Sequence, residues 1–185
     1  MMASGKSTVG RLLAHELGAC FVDLDVRVER MSGRSIPEVI AESPIAFRRA
    51  ESRALQSLTA EPGFAGRAVV VATGGGAVID EANRERMRSA GVIVHLDVDV
   101  DALAQRLAED PGARPLLPAP EGADAPGPDW VAAVRARLAE LLATRRGAYK
   151  DCDARVDGRG DPETVAARVA VALRELTADE DSEAV

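Results

Sequence analysis

Ala3-Ser4-Gly5-Lys6-Ser7-Thr8 is the stretch on which the fold of this chain turns. Gly5-Lys6-Ser7 is the second half of the phosphate-binding pattern G-x-x-x-x-G-K-[ST]. In that loop, glycines let consecutive backbone N–H groups point at phosphate oxygens, and the following helix adds its positive end. Lys6 would reach the β- and γ-phosphates and the Ser7 hydroxyl would ligate magnesium. The pattern's first glycine would fall one residue before Met1, and the apolar strand of about five residues that delivers a chain into such a loop is not in the sequence. Taken alone, the half-motif is equally compatible with a chance G-K-S-T ahead of a helix.

Downstream the chain alternates short apolar runs with helical patterns. Val9, Leu12, Leu13 and Leu17 fall on one helical face, stopped by Gly18. Ala19 to Asp25 reads as a buried strand ending in two carboxylates, Asp23 and Asp25, which two-residue spacing places on one side of a strand. Such a pair beside a phosphate loop can serve a magnesium ion and a substrate hydroxyl; a solvated strand end is the plainer alternative. Ser35-Ile36-Pro37-Glu38 opens a helix with a capping box. Phe47-Arg48-Arg49-Ala50-Glu51 opens another, in which Glu51 reaches Arg48 across one turn, either as a surface ion pair or to pre-set the arginine for an anion.

Val69 to Ala72 is a second strand, followed at once by Thr73-Gly74-Gly75-Gly76. Three glycines at a strand end mark close approach of the backbone to something, most simply a ligand. Val92 to Leu96 and Ala154 to Asp157 are the remaining strands, with helices over Val100 to Leu107, from Asp129 towards Tyr149, and from Asp161 to Leu176. His95 reads as a strand histidine near the core, without a catalytic role. The alternation predicts an α/β domain with a mainly parallel sheet flanked by helices. Six of the ten prolines lie between Pro111 and Pro128 and break the rhythm; with Arg114-Pro115-Leu116-Leu117 embedded there, the segment reads as an active-site lid rather than a plain linker. The acidic tail over 177–185 is expected to be disordered.

The totals narrow the function classes. At 185 residues, 46% hydrophobic and 29% charged, the chain is expected to form one domain over 1–176. A net charge of −7 argues against general nucleic-acid binding, and no apolar run approaches a membrane span or a secretory signal, so a cytoplasmic protein is expected, and a monomer because nothing in the chain reads as an obligate interface. Cys20 and Cys152 accompany no histidine cluster and are expected as buried thiols. Lys6 and Lys150 are the two lysines among 23 basic residues, so anion recognition must rest mainly on arginine.

Together, Gly5-Lys6-Ser7-Thr8-Val9-Gly10-Arg11, Asp23-Leu24-Asp25, Phe47-Arg48, Gly74-Gly75-Gly76, Arg114-Pro115-Leu116-Leu117 and Arg145…Tyr149 occur in the order and near the spacing of shikimate kinases. The chain resembles that family over about Ala3 to Leu173. The resemblance implies a three-layer P-loop kinase fold whose first central strand is missing from this sequence, with a substrate-binding subdomain at about 26–60 and a lid at about 110–128. It implies ATP as co-substrate, Mg²⁺, and transfer of the γ-phosphoryl group to the 3-hydroxyl of shikimate on the route to chorismate. It assigns ATP to Ala3, Ser4, Gly5, Lys6, Ser7, Thr8, Arg114 and, loosely, Arg159. Magnesium falls to Ser7 and Asp23, shikimate to Asp25, Arg48, Gly74, Gly75, Gly76 and Arg145, and catalysis to Lys6, Asp25 and Arg114.

The sequence departs from the family where Ser43-Pro44-Ile45-Ala46 precedes Phe47-Arg48 in place of a Gly-Glu pattern, and where the lid after Leu117 is long and proline-rich. Two other readings stand beside the first: a gluconate-type kinase, and a kinase-like binding protein that no longer catalyses. With one wall of its loop missing, the chain as written is expected to bind ATP poorly. A missing central strand would also leave ladder groups on its two neighbours unpaired.

Overall fold

A computed structural model describes residues 1–110, 116–117 and 127–183. Its four strands are β1 (Cys20–Asp23), β2 (Val69–Ala72), β3 (Val94–Asp97) and β4 (Ala154–Asp157). The helices are α1 (Lys6–Glu16), α2 (Leu24–Ser32), α3 (Ile36–Glu42), α4 (Pro44–Thr59), α5 (Glu81–Ala90), α6 (Val100–Glu109), α7 (Pro128–Lys150) and α8 (Pro162–Glu183). The expected alternation is present, but the sheet is divided. β1 pairs with β2 in parallel, Cys20 against Val69 through Asp23 against Ala72, and β3 pairs with β4 in parallel, Val94 against Ala154 through Asp97 against Asp157. No ladder joins the two pairs among the described residues. The expected unpaired neighbours are therefore β2 and β3, each with one partner instead of two.

Helix α1 holds the halves together. It packs on β1, β2 and α8, and its Val9 and Leu13 share a buried cluster with Leu96 of β3, Val156 of β4 and Val165 and Val169 of α8. α2, α3 and α4 pack on one another through Leu24, Val28, Val39, Phe47 and Leu55, a second cluster. A third cluster joins α6 and α7 through Leu103, Leu107, Val134 and Leu138 and takes in Met1.

Helix starts follow local chemistry. Glu38 accepts from the Ser35 N–H at 2.7 Å, the reach-back of a capping box, and Ser43, at the departure from the family pattern, caps α4 by accepting from the Ala46 N–H at 3.3 Å. Asp80 caps α5 through the Ala82 N–H at 2.9 Å.

Four expectations change. The first strand stops at Asp23 and Leu24 begins α2, so Asp23 and Asp25 do not project together from a strand. The Asp23 carboxylate accepts from the Asp25 N–H at 3.0 Å and so nucleates the helix there. Cys20 is exposed and Cys152 half-buried, because β1 lies at the outer edge of its pair and Cys152 sits in the turn before β4. The final helix does not end at Leu176; α8 continues to Glu183, its added turns extending a helix already nucleated.

Candidate active site

The six residues assigned to substrate by sequence, Asp25, Arg48, Gly74, Gly75, Gly76 and Arg145, line one cavity of about 330 Å³. They come from the first turn of α2, from α4, from the loop after β2 and from α7. The glycines are there for closeness. A Cβ on Gly74 would lie 2.6 Å from Glu51 Oε1 and 2.8 Å from Asp25 Oδ1, and one on Gly76 would fall onto the Arg48 guanidinium. The Gly75 carbonyl accepts from Tyr149 Oη at 2.6 Å and Arg145 Nη1 at 3.4 Å, which ties the glycine loop to α7.

Two cations, Arg48 and Arg145, line this cavity. Arg48 is paired with Glu51, whose side chain is 1% exposed, and its guanidinium lies 4.9 Å over the Phe47 ring. Arg145 is buried. Two carboxylate oxygens, Asp25 Oδ1 and Glu51 Oε1, are buried without a hydrogen-bond partner. Burial pushes both carboxyl groups above the usual range; Asp23 raises Asp25 further, whereas Arg48 pulls Glu51 back. Buried acceptors without donors call for donors, and a ligand bearing hydroxyl groups supplies them. Ile36, Pro37, Ile40 and Phe47 add an apolar wall.

The loop adjoins this cavity. Gly5 takes φ +86°, the left-handed region that glycine tolerates, and caps α1. Lys6 Nζ donates to Met1 O at 2.5 Å and Ser4 Oγ at 3.2 Å, and Ser4 Oγ donates to Met1 O at 2.8 Å, so the lysine is folded back on its own loop. Burial pushes the Lys6 ammonium below the usual lysine range, with Asp25 opposing. Ser7 Oγ donates to Asp23 Oδ2 at 2.5 Å, so a hydroxyl and a carboxylate converge where α1 begins and β1 ends. Both are hard oxygen donors, the type Mg²⁺ takes beside water and phosphate oxygens. Among the described residues no three His, Cys, Asp or Glu side chains cluster to hold a metal. A magnesium carried mainly by phosphate needs no such cluster.

A family model described as Shikimate kinase matches residues 2–174. The chain belongs to the shikimate kinase family. The shikimate kinase of Gloeobacter violaceus is 42% identical over 167 residues, covering 90% of this chain and 84% of that relative. A shikimate kinase structure from Acinetobacter baumannii, in complex with shikimate, matches with a TM-score of 0.77 at 31% identity, over 96% of this chain and 89% of that one. A gluconokinase from Sinorhizobium meliloti matches with a TM-score of 0.61 at 17% identity, over 100% and 94%, which shows a shared fold and no more. The shikimate kinase family is one of kinases, so the chain is assigned as a transferase with a nucleotide-binding fold.

Other expected site residues of this shikimate kinase family member stand further out. Thr8 is exposed on α1. Arg159 is exposed and forms a two-pronged pair with Asp157 at 2.9 and 2.8 Å. Arg114 lies outside the described residues, as does most of the expected lid. Arg106, on α6, was not singled out by sequence: it donates to Ala3 O at 3.2 Å and Gly158 O at 2.9 Å, binding the phosphate loop to the end of β4. Nothing in an amphipathic helix marks one arginine above another. Tyr149 belongs to the recognised pattern, but its hold on Gly75 is visible only in three dimensions.

Proposed function

We propose that this chain transfers the γ-phosphoryl group of ATP to the 3-hydroxyl of shikimate, giving shikimate 3-phosphate and ADP on the route to chorismate and the aromatic amino acids. The observation that carries the reading is the lining of one cavity: the guanidinium groups of Arg48 and Arg145 together with buried oxygens of Asp25 and Glu51 that have no hydrogen-bond partner. Such a site fits a small molecule that bears both a carboxylate and hydroxyls. Its neighbour is a lysine-bearing loop at a helix N-terminus, a place for phosphate.

The proposed roles combine that lining with the resemblance to the family. Arg48 and Arg145 hold the shikimate carboxylate, and Gly74, Gly75 and Gly76 let the ring approach the backbone. Asp25 accepts from the attacking hydroxyl and orients it. The loop from Ala3 to Thr8 cradles the phosphates, with Lys6 stabilising charge that spreads over the transferred group. Ser7 and Asp23 would hold Mg²⁺, whose charge neutralises phosphate oxygens when it is bound. Arg114 would close over the phosphates and Arg159 would stand on the adenine side. The chain is proposed to work as a cytoplasmic monomer without nucleic-acid or membrane partners; no described helix is long and apolar enough to cross a membrane.

ADP release measured with shikimate and, separately, gluconate tests the reaction. Turnover with shikimate is expected, with Asp25→Asn lowering kcat by roughly 100-fold or more; turnover of gluconate alone would refute the assignment. A second reading has its own observation. Because Lys6 is engaged by the Met1 carbonyl at 2.5 Å, the chain as written is proposed to bind ATP weakly. Titration showing the micromolar affinity usual for a working kinase would refute that.

A further inference from the structure

Three consecutive backbone carbonyls follow the glycine loop, and two neighbouring side chains of α5 hold all three. Asn83 Nδ2 donates to Ala77 O at 3.0 Å, and Arg84 Nη1 donates to Val78 O at 2.9 Å and Ile79 O at 3.0 Å. Local chemistry places them there. Asp80 caps α5, and helical side chains lean towards the helix N-terminus, so the third and fourth residues of α5 reach back over the turn Ala77–Ile79. That turn is tied to the glycines by its own bonds, from the Ala77 N–H to Gly74 O at 3.2 Å and from the Ile79 N–H to Gly76 O at 3.1 Å.

Each side chain also reaches a second element. Asn83 Nδ2 donates to Ser52 Oγ at 3.1 Å and Ser52 Oγ donates to Arg48 O at 3.1 Å, so this arm ends on the turn of α4 that carries Arg48. Arg84 Nε donates to Asp151 Oδ2 at 2.8 Å, at the end of α7, the helix that carries Arg145 and Tyr149. Asn83 is 4% exposed and the Arg84 side chain 16%, so both are held within the packing. Neither lines the substrate cavity.

The glycine loop is the spacer between the two cavity arginines. Gly76 lies against the Arg48 guanidinium, and the Gly75 carbonyl accepts from Arg145 Nη1. Glycine has more conformational freedom to lose on folding than any other residue, so a loop of three keeps its place only where its surroundings fix it. Tyr149 and Arg145 hold it at Gly75. Asn83 and Arg84 hold the turn that follows it. We propose, on the reading of the cavity as a shikimate site, that Asn83 and Arg84 are positioning residues that set the placement of Arg48 and Arg145 across the glycine loop, so that both guanidinium groups meet one substrate carboxylate. Asn83 acts on the α4 side and Arg84 on the α7 side. Lysine cannot replace Arg84, because an ammonium is a point donor on a flexible stem, whereas the guanidinium fork reaches two carbonyls and a carboxylate at once.

The test uses Arg84→Lys and Asn83→Ala, with Arg88→Ala as control. Arg88 pairs with the same Asp151 carboxylate, but its side chain is 43% exposed and, among the described residues, donates to no carbonyl of the turn. In the ligand-free protein, Arg84→Lys is expected to speed amide exchange at Ala77 and Ile79 by ~10-fold or more, and Arg88→Ala to leave it unchanged. For shikimate, kcat/KM is expected to fall roughly tenfold in Arg84→Lys and in Asn83→Ala, through KM with kcat little changed, and to stay at the parent value in Arg88→Ala. The loss should vanish where the positioned arginine is already gone. Arg84→Lys added to Arg145→Ala, and Asn83→Ala added to Arg48→Ala, should each lower kcat/KM by less than about twofold more. A merely structural pair would cost the same in either background, and that additivity overturns the proposal. Unchanged exchange in Arg84→Lys overturns it too, as does a fall in kcat with KM unchanged. Should Asn83→Ala fail to fold, Ser52→Ala breaks the same link from α4 and is read in its place. A parent chain that turns over no shikimate refutes the reaction, whereas the ligand-free exchange still decides whether the clamp exists, so the two failures are distinct.

Discussion

Glu51 shows how one buried side chain can set the geometry of a binding site. One of its oxygens holds Arg48; the other has no partner, and burial raises its pKa. The unfolded carboxyl titrates near its ordinary 4.5 and the folded one higher, so over that interval the folded state carries the extra proton. Stability contributed by this residue is present below pH 4.5 and falls as pH rises through the folded pKa. Glu51→Gln should remove that fall, visible as a flatter dependence of the thermal midpoint on pH above 4.5. The same variant takes from Arg48 a charge-assisted hydrogen bond, so KM for shikimate should rise roughly tenfold, the ~1.4 kcal/mol expected of one such contact, with kcat changed much less. An unchanged KM would show that Arg48 holds its place without Glu51. The i,i+3 spacing of Arg48 and Glu51 was legible in the sequence. That Glu51 is buried, and the arginine thereby oriented, depends on α2 and the glycine loop closing over it, which no local pattern encodes.

Among the elements, the loop after β2 carries the clearest signal. Three consecutive glycines announce close approach, and the approach is to Asp25, Glu51, Arg48 and Tyr149. Gly76→Ala places a methyl group on the Arg48 guanidinium, which must swing away. Steady-state kinetics should show KM for shikimate raised tenfold or more, while the total helix signal in circular dichroism is retained; a KM within twofold would mean the loop shifts to make room. β2 and β4 were read with their observed bounds because short valine-rich or alternating runs sit between turn residues. The strand expected over Ala19 to Asp25 ends two residues sooner, at Asp23: apolar continuity extends through Leu24, whereas the Asp23 side chain, by accepting from the Asp25 N–H, makes the helix start first. The tail was read as disordered from its acidity, yet Ala and Glu are good helix formers and propagation from an existing helix is cheap.

For the molecule as a whole, the decisive fact is that among the described residues two parallel ribbons are joined through helices rather than through a continuous ladder. Unpaired ladder groups are legible in the sequence; the part that α1 plays in joining the ribbons is not, because it depends on side chains from four other elements meeting on one helix face. Leu13 is 6% exposed and, with Val9, packs in a cluster fed by β2, β3, β4 and α8 together. Leu13→Ala removes buried methyl groups where α1 bridges the two ribbons, so the cost should be about 3 kcal/mol, within the usual range for a buried leucine. In a continuous sheet, hydrogen bonds across the seam would keep the halves cooperative after such a loss. Here α1 carries that coupling, so Leu13→Ala should also separate the unfolding of the β1–β2 half from the β3–β4 half. Urea titration followed by exchange at Val70 and at His95 is the measurement, one probe in each ribbon. Divergent midpoints in Leu13→Ala, beside coincident ones in the parent chain, are the expected result. Coincident midpoints in both proteins would show that α4, α5 and α7, packed over the opposite face of the seam, suffice to couple the two ribbons without α1.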